Sequence, residues 1–153
     1  EAVAERGIGV AYHHHMGTVV ESLEDVSALL AHTGESVGLT IDTGHASFAG
    51  MNLGALVREH RARIAHVHLK DVRAPVLEKF QSAPASFLDA IVEGVFTVPG
   101  DGDLELEPVV HALLDGGYDG WIVVEGDQDP DRADPALVAR IGREAVRRWC
   151  ARA

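Results

Sequence analysis

The sequence predicts an α/β fold built on a parallel sheet, and three observations carry that reading. Four short, mostly apolar runs, at residues 7–15, 37–42, 64–71 and 121–125, have the composition of buried parallel strands. The segments between them place apolar residues at helical spacing, so the order is β-α-β-α-β-(excursion, α)-β-α. Strands alternating with helices require a parallel sheet with right-handed crossovers. Finally, every one of the four runs ends in histidine or acidic residues, which is where α/β barrels gather their chemistry.

Each element has a local reason. Residues 7–15 read as a short strand closing in His13-His14-His15, with a loop at Met16-Gly17-Thr18. Residues 22–33 carry Leu23, Val26, Leu29 and Leu30 on one helical face. Ser22 is a natural N-cap with Asp25 three residues on, and Gly34 reads as the stop. The strand at 37–42 ends in Asp42 and runs into Thr43-Gly44-His45; a helix at 53–60 follows, with Leu53, Leu56 and Val57 on one side.

In the strand at 64–71, alternation places His66, His68 and Lys70 on one face and Val67 and Leu69 on the other. Residues 72–98 are the least regular part, an excursion holding one helix at 86–93. Val98-Pro99-Gly100-Asp101-Gly102-Asp103 is dense in turn formers. A helix at 106–114 stops at Gly116-Gly117, and the last strand is Trp121-Ile122-Val123-Val124-Glu125. Asp134 at the cap and Pro135 at the first helical position start a closing helix that runs to about Arg148.

Composition narrows the function. The 153 residues fit one domain, 46% hydrophobic and 24% charged, as in a soluble globular protein. There is no apolar run near the length of a membrane span and no signal-peptide pattern. The net charge of -11 disfavours a nucleic-acid partner, because backbone binding rests on Lys and Arg. The single cysteine, Cys150, allows no internal disulfide and reads as an ordinary thiol in a cytoplasmic protein. The chain opens on Glu1 in what reads as a helix end, so a longer protein lacking its N-terminal part is expected. No G-x-G-x-x-G or P-loop pattern supports nucleotide binding.

The strand ends supply His13 and His15, then Asp42 and His45, then His68 and Lys70, then Glu125. Imidazole and carboxylate donors without cysteine suit Mn, Co, Fe or Zn rather than a structural zinc site. Plainer readings stand beside this one. His13-His14-His15 fits a polar loop, with His14 pointing away from its two neighbours. Asp42 fits a turn cap, Glu125 a solvated loop carboxylate, and His66, His68 and Lys70 a polar strand face at a sheet edge. Asp71, opposite His68, reads as structural, and Tyr12, Trp121 and Phe96 as core or pocket wall.

Several of these stretches resemble a known family. D-T-G-H at 42–45, H-V-H-L-K-D at 66–71, V-P-G-D-G at 98–102 and W-I-V-V-E at 121–125 are similar to the xylose isomerase-like TIM barrels, a group of sugar isomerases, epimerases and lyases. Within it, Y-H-H-H-M-G-T at 12–18 and F-T-V-P-G-D-G at 96–102 resemble the 2-keto-myo-inositol (inosose) dehydratases of inositol catabolism. The resemblance covers essentially all of residues 1–153. It implies the C-terminal half, about four β/α units, of a single TIM barrel whose N-terminal half is absent.

It also implies a divalent metal, Mn²⁺ or Co²⁺, on Asp42, His68 and Glu125, with His13 standing where the family has a first Glu. The reaction implied is a hydro-lyase step, loss of water from 2-keto-myo-inositol to a trihydroxycyclohexane-1,2-dione. His45 and His15 are then the residues for proton transfer, and His66 and Lys70 those for orienting substrate oxygens or stabilising enediolate charge. Three alternatives remain. An isomerase or epimerase on the same barrel would share the metal, and a superfamily apurinic endonuclease would need a basic surface. An inactive metal-binding fragment or interaction module would expose two unpaired strand edges, with homo-oligomerisation the consequence.

Overall fold

The computed structural model describes residues 3–82 and 86–152. Glu1 lies outside them, and the described chain opens with a short 3-10 turn at Ala4–Arg6. The strands are β1 (Val10–His13), β2 (Val37–Asp42), β3 (Ile64–Val72), β4 (Phe96–Thr97) and β5 (Ile122–Glu125). The helices are α1 (Leu23–Ala31), α2 (Thr43–Phe48), α3 (Leu53–His60), α4 (Ala74–Gln81), α5 (Phe87–Glu93), α6 (Leu106–Asp115) and α7 (Pro135–Cys150). Strands β1, β2, β3 and β5 form a parallel sheet in that order, with His13 opposite Thr40, Asp42 opposite His68, and Lys70 opposite Glu125. Among the described residues β1 pairs only with β2, and β5 only with β3, so each keeps an unpaired edge.

Alternation along the strands divides the sheet into two faces. Leu39, Ile41, Val67 and Leu69 are fully buried against Val26, Leu56, Val57, Val110 and Leu113 from α1, α3 and α6. Each such side chain contributes about 1.5–3 kcal/mol by leaving water. The opposite register positions carry Thr40 and Asp42 on β2 and His66, His68 and Lys70 on β3. One apolar face therefore fixes which residues the other face presents.

Three local features depart from the sequence reading. Asp42 ends β2 and caps α2 at once, its Oδ1 accepting from His45 N at 3.0 Å, so Thr43-Gly44-His45 is the first turn of a helix. The excursion holds a second helix, α4, because Pro75 sits in its first turn, where a missing N–H costs nothing. β4 runs antiparallel to the end of β3, pairing Thr97 with Asp71 and Phe96 with Val72. The remaining N-caps follow expectation: Ser22 and Asp25 form a reciprocal capping box, though α1 ends at Ala31 with His32 as its C-cap, short of the stop expected at Gly34. Asp134 caps α7.

Asp71 is structural. Its buried carboxylate accepts from Val72 N, Gly100 N, Gly102 N and Leu104 N, and so shapes the turn that follows β4. A Cβ at Gly102 would run into that carboxylate. Trp121 is not a core residue: it is 79% exposed at the start of β5. Among the described residues no helix is long and apolar enough to cross a membrane.

Candidate metal centre

The C-terminal ends of the four parallel strands converge on Asp42. Its carboxylate is fully buried, and its two oxygens do different work. Oδ1 caps α2, while Oδ2 faces His13 Nε2 at 3.6 Å and His68 Nδ1 at 3.7 Å. Candidate ligand atoms of His13, Asp42 and His68 all lie within 4.8 Å of one another. Glu125 sits at the side of this group, with Oε1 3.1 Å from His68 Nδ1. His13 Nε2, Asp42 Oδ2 and His68 Nδ1 are buried, yet none makes a hydrogen bond among the described residues. A buried polar atom without a partner costs about 1–3 kcal/mol, so three of them turned toward one point mark a place for a ligand.

Lys70 lies beside this group and is 2% exposed. Its ammonium is 3.2 Å from Asp42 Oδ2 and 3.1 Å from Glu125 Oε2, and it donates to Asp127 Oδ2 at 2.7 Å and to His45 Nε2 at 3.3 Å. The D-T-G-H segment is wrapped around this lysine. Asp42 supplies charge, and Thr43 Oγ1 donates to Lys70 O and accepts from Lys70 N. Gly44 leaves room for the stem, since a Cβ there would sit 2.7 Å from Lys70 Cγ and Cδ, and His45 accepts from the ammonium.

Electrostatics follow from this packing. Burial works against the Asp42 carboxylate, but the imidazoles of His13 and His68 and the charge of Lys70 outweigh it and hold the carboxyl well below its usual range. Burial opposes the Lys70 ammonium too, and Asp42, Asp127 and Glu125 more than compensate, raising it. Asp42 raises His68, against the effect of burial. Burial, with Lys70 close by, pushes His45 down to about 3.

The other sequence candidates divide. The rings of His15 and His45 lie against each other with centroids 3.6 Å apart, and Phe87 of α5 stands edge-on to His15 and tilted to His45, which walls the site. His15 Nδ1 lies 2.7 Å from Met16 O. A carbonyl can only accept, so Nδ1 carries the proton and Nε2 keeps a lone pair. His14 turns away from its neighbours, is fully buried, and accepts from Asp42 N at 3.3 Å; burial lowers it to about 4. His66 stands one pleat earlier on β3, its ring centroid 5.1 Å from that of His68. It lines a separate open cavity of about 570 Å³ with Gly38, Thr40 and Ile64. Asp127 went unrecognised in the sequence; the only signal was an acidic residue two positions beyond the strand-ending Glu125.

A parallel β/α sheet with a histidine-carboxylate cluster at its C-terminal strand ends is the architecture of a barrel-type metal site. The chain belongs to the Xylose isomerase-like TIM barrel family, whose profile matches residues 1–149. It is 48% identical over its whole length to the rhizopine catabolism protein MocC of Rhizobium meliloti, covering 47% of that protein. It is 44% identical to an inosose dehydratase of Geobacillus thermodenitrificans, over 98% of this chain and 51% of the relative. The chain thus spans about half the length of the curated relatives it matches. Among solved structures, a xylose isomerase domain protein from Alicyclobacillus acidocaldarius superposes with a TM-score of 0.71 at 24% identity, over 97% of this chain and 53% of that one, a likeness of fold.

Proposed function

We propose that this chain carries the metal-binding wall of a hydro-lyase that dehydrates 2-keto-myo-inositol to a trihydroxycyclohexane-1,2-dione. The observation that supports it best is the convergence of His13 Nε2, Asp42 Oδ2 and His68 Nδ1, buried and without hydrogen bonds. His13 Nε2 and His68 Nδ1 lie 3.6 and 3.7 Å from Asp42 Oδ2, spacings that suit ligands each about 2.0–2.2 Å from one ion; Glu125, outside that mutually close trio, reaches His68 Nδ1 at 3.1 Å and is our fourth ligand. The donor set fits a divalent ion, and Mn²⁺ or Co²⁺ is our assignment. When bound, such an ion supplies Lewis acidity to a ketone oxygen and acidifies the adjoining C–H.

The chain's own groups then divide the work. His15 Nε2, with its free lone pair, takes the α-proton. The β-carbon–oxygen bond breaks, and the departing hydroxide takes the proton back from the now protonated His15 and leaves as water, returning His15 to its neutral form. His45 is neutral with Nε2 tied to Lys70, so Nδ1 carries its proton and hydrogen-bonds a substrate oxygen. Lys70 gives two of its three N–H groups to Asp127 and His45 and bears its charge beside the developing oxyanion, which it stabilises. The reaction is an intermediate step of catabolism, and we place it in the cytoplasm.

The 48% identity to the rhizopine catabolism protein favours one variant, the same chemistry on a compound of rhizopine catabolism. The test is to strip the intact protein of metal, restore Mn²⁺ or Co²⁺, and follow 2-keto-myo-inositol. Metal-dependent water loss supports the assignment. A rearranged ketone of unchanged mass would make the protein an isomerase or epimerase, and no metal dependence would remove the central premise.

A further inference from the structure

Among the described residues Lys70 is the buried cation of the site, and four acidic or imidazole groups touch it. We propose that its ammonium is a built-in competitor for the metal site, held beside it by Asp127, so that the Lys70–Asp127 pair sets how tightly the site takes a divalent ion. The inference rests on reading His13, Asp42, His68 and Glu125 as the ligands, and makes Asp127 a positioning residue.

Three observations support it. First, direction: Lys70 hydrogen-bonds to Asp127 Oδ2 at 2.7 Å and to His45 Nε2 at 3.3 Å. Its approaches to Asp42 Oδ2 and Glu125 Oε2 are close but are ion pairs without hydrogen-bond alignment. The aligned bonds thus hold the ammonium next to the two carboxylates without committing it to them.

Second, charge: Asp42, Glu125 and Asp127 against Lys70 leave two negative charges, the complement of one divalent ion. When an ion engages Asp42 and Glu125, Asp127 is the carboxylate left to balance the lysine. Third, construction: Asp127 holds a left-handed backbone with φ +38°, a conformation open to Asp and Asn but uncommon for other side chains. The lysine stem in turn depends on the missing Cβ of Gly44. Both partners are therefore placed by backbone features specific to this site.

The test is calorimetric titration of the metal-stripped intact protein with MnCl₂, using wild type, D127N, K70M and the double variant. D127N keeps the left-handed preference and sits at a 44% exposed position, so folding is not at issue. If K70M fails to fold, K70Q takes its place. Without Asp127 the ammonium moves onto Asp42 and Glu125, and Mn²⁺ binding weakens about tenfold, the lower end of what partners outside the ligand set carry. Without the ammonium both carboxylates are free, and binding tightens by about tenfold.

In the K70M background D127N has no further effect, because the two act as one unit. An equal loss from D127N with or without Lys70, or weaker binding in K70M, overturns the proposal. So do unchanged affinities in both variants while wild type binds. Wild-type protein that takes up no Mn²⁺ overturns the ligand assignment itself, and this proposal with it.

Discussion

Two basic residues on either end of β3 show how differently the two ends of one sheet are built. Arg63, just before the strand, is saturated. Its guanidinium donates to Val37 O, Leu30 O, Gly34 O and Thr33 Oγ1, tying the end of α1 and the start of β2 together. Lys70, near the far end, is surrounded by more charge than it can satisfy, three carboxylates and an imidazole, and beside it His13 Nε2 and His68 Nδ1 make no hydrogen bond among the described residues. Polar groups at the N-terminal end of the sheet close their own accounts of donors and acceptors and stabilise the fold. Those at the C-terminal end are left open, and an open buried cluster is stable only with a ligand in mind.

The largest expected effect lies at the open end. Asp42→Asn keeps an oxygen for the α2 cap but loses the charge facing His13 and His68. Turnover should fall about a thousandfold, as several kcal/mol of Lewis-acid stabilisation disappear, and the thermal midpoint without metal should fall as well, because a carboxylate held below its usual range stabilises the fold when ionised and pairs with buried Lys70. A variant that turns over normally would erase the contrast between the two ends. His15→Gln should lower kcat about a hundredfold with Mn²⁺ content unchanged, which steady-state kinetics and metal analysis read together.

Saturating divalent ion should itself stabilise the protein. At a hundred times Kd the gain is about 2.7 kcal/mol, visible as a raised unfolding midpoint that Asp42→Asn abolishes. At the saturated end, Arg63→Met should cost about 1–3 kcal/mol of stability in denaturant titration and leave kcat alone. Ser22→Ala, further from both, removes the α1 capping box and should cost about 1 kcal/mol, again without effect on kcat.

Much of this was legible in the chain because alternation is a strict rule. Once 64–71 is read as a strand, His66, His68 and Lys70 must share a face, and β3 places them so. Apolar spacing likewise marked α3, whose bounds Leu53–His60 match the reading from sequence. What stayed hidden depends on groups meeting across the sheet. That Asp42 would both cap a helix and face the cluster needs the β2–α2 geometry, since one carboxylate has two oxygens to spend.

That D-T-G-H wraps around Lys70, 27 positions beyond Thr43, is a tertiary fact with no periodicity to announce it. Asp127 lies in a loop, where pattern gives no direction to a side chain. His66 shares the strand face with His68, yet one pleat of separation leaves it lining another cavity. Face was predictable; depth along the barrel axis was not.

The central claim is that one divalent ion sits among His13, Asp42, His68 and Glu125. X-ray absorption spectroscopy of the Co²⁺- or Zn²⁺-loaded protein tests it most directly. The account predicts a nitrogen and oxygen shell at about 2.0–2.2 Å with outer scattering from two imidazoles and no sulfur, one imidazole being lost in His68→Ala. A spectrum without imidazole scattering, or one that His68→Ala leaves unchanged, would contradict it.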